Sequence, residues 1–355
     1  MKEQLKKAKE IIEGYDGPPI RIMEVCGTHT HEDFHLGIRK ILPPQVELIS
    51  GPGCPVCVTP ADFIDEAVWL ALEKNVTICT FGDLVRVPGN EKSLADSRSL
   101  GADIHIVYSP VDAVQYAQEH REKQVVFLSV GFETTTPASC LSVKMASDSG
   151  LTNYSLLTAN KTMPKAYEML KGSADVFLYP GHVNAITGNR LNRELAQKEG
   201  VSGIVTGFTP GEILSSFAIL LTKYKEGKPF FVNAYPRVVK EEGSVSAQKL
   251  VEEWMEPCDS RWRGLGILPG SGLQLKESFS DFDARKKYHI PKMKARNRTA
   301  CRCGDVLQGK CRPTDCPLFG KGCTPLHPIG ACMVSNEGAC SAYYTYERPE
   351  GGNHE

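Results

Sequence analysis

Several features that this sequence lacks exclude whole classes of protein. The 355-residue chain has no run of eighteen or more apolar residues, which a membrane-spanning helix needs. Its first residues, MKEQLKKAKEIIEGYDG, lack the apolar core of a signal peptide and instead have the spacing of a surface helix. The formal net charge of −1 gives no excess of either sign. We therefore expect neither nucleic acid nor a membrane as a partner.

The cysteine spacings exclude further classes. The chain contains neither the CxxxCxxC of radical-SAM enzymes nor the CxxCxxC of bacterial ferredoxins. The total of thirteen cysteines is odd, so a disulfide framework within one chain cannot include them all. In a reducing cytoplasm, where we expect this protein, such cysteines are metal ligands or redox thiols.

Seven of the cysteines lie in one C-terminal segment, between Cys301 and Cys340. Four of them have spacings of fourteen, six and sixteen intervening residues, namely Cys301, Cys316, Cys323 and Cys340. Four thiolates suit either a [4Fe–4S] cluster or a structural zinc ion. The separated positions and the absence of a CxxC from this segment favour the cluster.

Three cysteines of this segment remain. Cys303 and Cys332 each lie near a proposed ligand. They would form a disulfide beside the cluster, or they are simply buried small residues, and the residues alone favour the second interpretation. Cys311 has no assigned role.

A second group of cysteines lies near the N-terminus. Cys26 follows an apolar run and precedes His29, while Cys54 and Cys57 form a CxxC after the run VELIS. A thiol at a helix N-terminus is acidified by the helix dipole. A thioredoxin-like redox pair is one interpretation. A third cysteine and a histidine at the same edge favour a soft-metal site for an ion such as Fe(II).

The arrangement of apolar runs predicts the fold class. Nine apolar runs alternate with helical patterns: IRIMEVCG, VELIS, NVTICTFG, DIHIVYS, QVVFLSVGFE, YSLLTAN, ADVFLYPG, GIVTGF and FFVNAY. Uniformly apolar runs are typical of parallel strands covered on both faces. We expect two similar Rossmann-like α/β domains facing a cleft, at residues 15–120 and 121–255. A cysteine-rich iron–sulfur domain would follow at 256–355, and the N-terminal helix at 1–14 is a candidate to join it.

Taken together, the motifs resemble those of one family. CGTHTH, GPGCPVCVTP, GFETTTP, PGHV and the C-terminal CxCGxVLxGxxxPxxCxLFGxxCTPxxPxGxCMVSxEGxCxAYY are similar to the HypD family of [NiFe]-hydrogenase maturation proteins. The resemblance extends from about Ile20 to Tyr346. It implies a scaffold that works with a HypC-type chaperone to build an Fe(CN)2CO group, which then moves to the hydrogenase large-subunit precursor. A HypE-type partner would deliver the cyanide.

The resemblance also implies residue roles. Cys26, Cys54 and Cys57 would be the functional cysteines of the cleft. Apart from the resemblance, we expect Cys26 and Cys54 to hold iron transiently, without all three thiols binding at once, and we expect His29, which is close in sequence, to act as a base or ligand. The [4Fe–4S] ligands would be Cys301, Cys316, Cys323 and Cys340. Cys303 and Cys332 would be the thiol–disulfide pair beside the cluster, as in ferredoxin–thioredoxin reductase.

Two alternatives to an assembly scaffold remain open. One is an iron–sulfur thiol–disulfide oxidoreductase that reduces a partner disulfide. The other is a zinc-stabilised α/β binding protein. Cyanide and CO stretches in an infrared spectrum belong to the scaffold alone, and elemental analysis identifies zinc.

Overall fold

The computed structural model describes residues 2–293 and 300–347. The strands are β1 (Ile20–Glu24), β2 (Val46–Ser50), β3 (Thr77–Thr80), β4 (Ile104–Ile106), β5 (Val125–Gly131), β6 (Tyr154–Lys161), β7 (Val176–Pro180), β8 (Ser202–Thr206), β9 (Phe231–Asn233), β10 (Met255–Trp262) and β11 (Gly266–Leu275).

The helices pack around these strands and over the C-terminal segment. They are α1 (Lys2–Glu13), α2 (Gly27–His35), α3 (Ile38–Ile41), α4 (Pro55–Val58), α5 (Ala61–Glu73), α6 (Gly82–Val85), α7 (Leu94–Arg98), α8 (Pro110–Glu119), α9 (Thr136–Asp148), α10 (Pro164–Met169), α11 (Gly181–Thr187), α12 (Arg190–Glu199), α13 (Pro210–Lys225), α14 (Val245–Trp254), α15 (Ala284–Tyr288), α16 (Cys303–Leu307) and α17 (Ala339–Tyr346). Short 3-10 helices lie at Glu277–Phe282, Pro313–Asp315 and Ala331–Met333.

Sheet A contains five parallel strands in the order β2-β1-β7-β8-β9. Ile22 of β1 lies opposite Leu48 of β2 and Val176 of β7. Every residue of β7 and β8 is buried, as expected for parallel strands covered on both faces. Numbered by their appearance in this sheet, the strands run 2-1-3-4-5, so the order reverses between β1 and β7. Open α/β sheets bind ligands beyond the carboxyl ends of the strands at such a point.

Sheet B contains six strands in the order β10-β11-β6-β5-β3-β4. Its parallel strands β3, β4, β5 and β6 repeat the order 2-1-3-4 of sheet A. The order therefore reverses between β3 and β5. The antiparallel hairpin β10–β11 extends the sheet from β6. The predicted α/β class with parallel, Rossmann-like sheets is confirmed.

The sheets do not follow the predicted division of the chain. Sheet A takes strands from residues 20–50 and 176–233, and sheet B takes strands from 77–161 and 255–275. The predicted boundary at 120/121 therefore falls within sheet B, and the one at 255/256 falls inside β10. The physical reason is that the chain crosses between the sheets three times. The order of apolar runs along a sequence does not reveal which sheet each strand joins.

The N-terminal helix forms as predicted but packs elsewhere. Ala8 and Ile12 of α1 share an apolar cluster with Ile213 and Phe217 of α13. Within the part of the chain that the structure describes, α1 thus covers sheet A instead of joining the cysteine-rich segment.

One apolar core joins the two sheets and the cysteine-rich segment. It contains Phe177 of sheet A, Ile78 and Leu128 of sheet B, and Cys332 and Met333 of the C-terminal segment. The three parts of the molecule therefore share buried surface. Among the described helices, none has both the length and the apolarity needed to cross a membrane.

Candidate functional site

Cys26 lies where the strand order of sheet A reverses, directly after β1. It has extended backbone angles (φ −148°, ψ 124°) and precedes the first turn of α2. Its side chain is only 6% exposed. Burial raises the pKa of the Cys26 thiol to about 12, although the backbone N–H groups of His29 and Thr28 favour the thiolate. At Cys26, desolvation therefore outweighs the effect of the helix N-terminus on the thiol pKa.

The CxxC loop packs directly against Cys26. The N–H of Gly27 donates to the carbonyl oxygen of Gly53 at 3.2 Å. A Cβ atom on Gly53 would lie 2.3 Å from the backbone nitrogen of Cys26, so the two backbones are in contact. The Sγ of Cys54 accepts a hydrogen bond from the N–H of Cys57 at 3.4 Å. The neighbouring parallel strands β1 and β2 thus bring both motifs to one edge.

His29 is stacked in a row of three rings. It is fully buried, and its Nε2 donates to the carbonyl oxygen of Gly207 at 3.0 Å. Phe208 stacks on His29 with ring centroids 4.5 Å apart, and His182 stacks on Phe208 at 3.8 Å. Burial lowers the pKa of His29 to about 3, so the imidazole is neutral. Its Nδ1 has no hydrogen-bond partner within the described residues.

Phe208 is the middle ring of this row, and the sequence patterns did not predict a role for it. Its only sequence signal is that it follows Gly207, the first residue after β8. A neutral imidazole with a lone pair on Nδ1 is the form that accepts a proton or binds a metal.

Glu133 follows β5, one of the two strands between which the order of sheet B reverses. Its Oε1 accepts a hydrogen bond from the N–H of Met163 at 2.9 Å. Burial raises the pKa of this carboxyl to about 7. Burial, with nearby Glu133, raises the pKa of Tyr167, and Cys26 contributes to the same shift, so both residues lie near this tyrosine.

A row of thiols connects the CxxC with the C-terminal segment. Cys332 is buried in one core with Cys57, Cys303 and Cys340, and all three lie near enough to shift its pKa. The Sγ of Cys57 lies 4.0 Å from the carbonyl oxygen of Ala331, the residue before Cys332. The Sγ of Cys303 lies 3.1 Å from the Sγ of Cys301. The structure thus brings together Cys303 and Cys332, and it adds a contact with Cys57 that no sequence signal indicates.

The thiol pKa values of Cys332 and Cys57 shift in opposite directions. Interaction with the thiol of Cys303, and with those of Cys340 and Cys57, holds the pKa of Cys332 well below its ordinary value. The neighbouring thiols of Cys332 and Cys54, together with burial, hold the pKa of Cys57 well above its ordinary value. One thiolate, on Cys332, is therefore stabilised by its thiol neighbours.

The four predicted cluster ligands line one small cavity. It is enclosed by Cys301, Cys303, Cys316, Cys323, Cys340, Arg302, Val306, Leu318, Phe319 and Met333. The N–H of Ile329 donates to the Sγ of Cys323 at 3.3 Å. Thiols gathered in an apolar cavity are the donor set of an iron–sulfur cluster, so the residues fit that group. Over residues 2–293 and 300–347, no three His, Cys, Asp or Glu side chains form a ready single-ion site.

Comparison with known proteins gives consistent matches along the chain. The family described as HypD, hydrogenase formation hypA family, matches residues 1–347. A putative hydrogenase expression/formation protein of Methanocaldococcus jannaschii is 39% identical over 351 residues, with 98% of this chain and 97% of the relative covered.

Two bacterial relatives are equally similar. The hydrogenase maturation factor HypD of Rhodobacter capsulatus is 40% identical, with 92% of this chain and 89% of the relative covered. That of Escherichia coli is 40% identical, with 94% and 90% covered. Among solved structures, chloroplast FtsY from Physcomitrella patens aligns with 70% of this chain and 72% of its own at 14% identity. Its TM-score of 0.18 supports no statement about the fold.

Proposed function

Because this chain belongs to the HypD family of hydrogenase maturation factors, we propose that it is a scaffold for assembling the Fe(CN)2CO group of [NiFe]-hydrogenase. In this proposal it binds a HypC-type chaperone and a HypE-type cyanide donor. The finished group then passes to the hydrogenase large-subunit precursor. Assembly takes place in the cytoplasm under anaerobic conditions, and the protein is an assembly scaffold with redox capability.

The row of thiols is the observation that carries this proposal. It runs from Cys54 and Cys57 through Cys332 to Cys303 and Cys340. A scaffold that builds a low-spin iron group needs soft donors at the assembly site and a source of electrons beside it. The row offers both within one core.

Cys26, Cys54 and Cys57 are the proposed ligands of the iron cargo. They lie at one sheet edge, and the backbones of Cys26 and the CxxC loop are in contact. Iron that binds these thiols releases their protons. The neutral Nδ1 of His29 is the proposed acceptor of such a proton or a further ligand.

Cys301, Cys316, Cys323 and Cys340 are the proposed ligands of a [4Fe–4S] cluster. A cluster bound there supplies one-electron transfer. Cys303 and Cys332 are the proposed exchange pair. Joining their two sulfur atoms releases two electrons and two protons, and the reverse step consumes them.

Infrared spectroscopy of anaerobically purified protein, isolated with its small chaperone, tests the proposal. The wild-type complex should show cyanide and CO stretches. Cys54→Ala should lose them and should stop hydrogenase maturation, while the iron and sulfide of the C-terminal cavity remain. Cys140→Ala is the matched control, because Cys140 is a buried cysteine of α9 and should leave the bands unchanged. Normal maturation by Cys54→Ala would overturn the assignment of the cleft.

The two alternatives predict different results. A thiol–disulfide oxidoreductase would lack the cyanide and CO stretches and would reduce a partner disulfide. A zinc-stabilised binding protein would contain zinc and no sulfide. The curated relatives, which are named for hydrogenase maturation or formation, favour neither alternative.

A further inference from the structure

A cavity of about 290 Å³ lies at the carboxyl end of β6. Its walls come from α5, β6, the β10–β11 hairpin and α15. The charged or titratable residues that line it are Asp62, Glu66, Lys161, Cys258, Asp259, Arg261 and Arg285. This cavity is separate from the cysteine-lined cavity and from the edge that carries Cys26.

Lys161, the last residue of β6, is the unusual member of this group. Its side chain is 1% exposed. Among the described residues, its ammonium donates one hydrogen bond, to the carbonyl oxygen of Ala159 at 3.3 Å, and it lies 5.8 Å from the centre of the Trp262 ring. No described carboxylate lies within ion-pair distance of it. Buried ammonium groups normally have such a partner.

The other cations of the cavity already have partners. Arg285 pairs with Glu66 at 2.7 Å and also donates to the carbonyl oxygen of Thr158 at 2.8 Å. Arg261 lies 3.5 Å from the Oδ2 of Asp62. Unlike these arginines, Lys161 has no carboxylate within ion-pair distance in the part of the chain that the structure describes.

One acceptor of the same cavity is also unsatisfied. The Oδ1 of Asp62 is buried and has no hydrogen-bond partner among the described residues. Asp62 is near enough for its charge to act on Lys161. A hydrogen-bond donor, the ammonium of Lys161, and an acceptor, the Oδ1 of Asp62, therefore line one cavity. A small molecule that carries both an oxyanion and a hydrogen-bond donor can bind both groups.

We propose that this cavity binds a small oxyanion that also carries a hydroxyl group, with the ammonium of Lys161 on the oxyanion and the Oδ1 of Asp62 accepting from the hydroxyl. The volume suits a molecule of a few non-hydrogen atoms. Burial raises the pKa of the Cys258 thiol in the same cavity. The site is independent of the proposed scaffold function.

The position of the site gives it a route to the cysteine-rich segment. A neighbouring cavity of about 380 Å³ shares Pro60, Asp62 and Arg261 with it and reaches Cys301 and Cys303. A ligand held by Lys161 would therefore lie in the cavity next to the one that contains those thiols.

Binding should depend on pH. Burial, with the nearby charge of Arg285, lowers the pKa of Lys161 to about 7. Because the oxyanion binds the protonated amine, its affinity should fall as the pH rises through this value. The charged or titratable groups that face Lys161 are Asp62 and Glu66 of α5, Cys258, Asp259 and Arg261 of β10, and Arg285 of α15.

Isothermal titration of the full-length, reduced protein at pH 6.5 tests this proposal with four probes. Glycolate and inorganic phosphate each carry an oxyanion and a hydroxyl, acetate lacks the hydroxyl, and ethylene glycol lacks the charge. Glycolate or phosphate should bind more tightly than acetate, and ethylene glycol should not bind at millimolar concentration. Whichever of glycolate and phosphate binds more tightly identifies the oxyanion as a carboxylate or a phosphate.

The variants separate the two contacts. Lys161→Met should weaken the tighter probe by about tenfold or more, the usual value of a charge-assisted hydrogen bond. Asp62→Ala, which removes the acceptor, should reduce glycolate to the affinity of acetate, and it carries the test if Lys161→Met does not fold. Lys165→Met, at an exposed lysine paired with Glu168, should change nothing. Failure of all four probes to bind, or equal binding by wild type and Lys161→Met, would overturn the proposal.

Discussion

Two effects oppose each other on the thiol of Cys26. The first turn of α2 offers backbone N–H groups, and a helix N-terminus is worth about 0.3–1 kcal/mol to a nearby anion. Removal from water acts in the other direction. The pKa rises from 9.0 to about 12, which corresponds to about 4 kcal/mol against the thiolate. Desolvation therefore keeps this cysteine protonated, and under the proposed function iron would have to displace that proton.

Glu133 should impose a pH dependence on stability. Its pKa rises from 4.5 to about 7 because the carboxyl is buried. Between these values the folded state holds a proton that the unfolded state has released, so stability falls as the pH rises from 4.5 to 7. Glu133→Gln should therefore be more stable than wild type at pH 8, by up to about 3 kcal/mol.

Urea denaturation at pH 5 and pH 8 measures this difference. The advantage of Glu133→Gln should be small at pH 5 and should reach its full value above pH 7. An equal advantage at both values would mean that the carboxyl does not titrate in this range.

The ligand assignment at Cys316 can be tested against a neighbouring cysteine. Cys316 lines the cysteine cavity, and Cys311, five residues earlier, is not among the described residues that line it. Cys316→Ala should lose the brown colour of the anaerobically purified protein, together with about four iron and four sulfide. Cys311→Ala should keep them. Full cluster content in Cys316→Ala would refute the assignment.

At the scale of elements, the contact between the CxxC loop and Cys26 depends on one glycine. A Cβ on Gly53 would lie within 2.3–2.6 Å of three backbone atoms of Cys26, which cannot move like a flexible side chain. Gly53→Ala should therefore separate the loop from Cys26 and lower the free energy of unfolding by about 1–3 kcal/mol.

Gly82→Ala is the matched control for this change. Gly82 also follows a strand of a parallel sheet, but its Cβ would meet only Ile106, at an ordinary 3.8 Å. Urea denaturation should show no loss in Gly82→Ala. If Gly53→Ala were as stable as wild type, the loop would have an alternative position that keeps its packing.

The sequence predicts elements better than it predicts how they assemble. All nine expected parallel strands form, because each is an apolar run bounded by turn residues. The edge strands β4 and β9 are less buried than the strands between them. The sequence patterns do not predict the hairpin β10–β11, because residues of β10 alternate between half-buried and exposed positions and do not form a uniformly apolar run. Pro257 and Gly270 also interrupt the strand pattern.

The sequence likewise predicts some parts of the candidate site and not others. The position of Cys26 after β1 and of the CxxC after β2 follows from local pattern, and parallel pairing explains why they meet. The contact between Cys57 and Cys332 joins residues far apart in sequence, and it depends on how the C-terminal segment packs on the core. No local pattern encodes that packing.

For the whole molecule, the three crossings between the sheets tie their stabilities together. Neither sheet is built from a continuous stretch of chain, and one core contains residues of both. We expect the two sheets to unfold in a single transition.

The tryptophans provide a test, since all three lie on the side of sheet B: Trp69 on α5, Trp254 on α14 and Trp262 on β10. Ile22→Ala, in the buried centre of sheet A, should destabilise the protein by about 2–5 kcal/mol. It should lower the midpoint of tryptophan fluorescence as much as that of circular dichroism.

Ile267→Ala makes the same change at an exposed position of β11 and should leave both midpoints unchanged. Separate transitions in Ile22→Ala, with only the dichroism affected, would show that the sheets unfold independently.

The contact between Cys57 and Cys332 also has a consequence for the order of events during synthesis. Ribosomes add about 5–20 residues per second, so Cys332 is made roughly 14–55 s after Cys57 at that rate. During this interval the CxxC of the nascent chain lacks Cys332 and the other C-terminal residues that complete its core. Oxygen or free metal ions that reach the chain in this interval meet the CxxC before its final partner exists. Exposure to air during translation should therefore damage this protein more than the same exposure after folding.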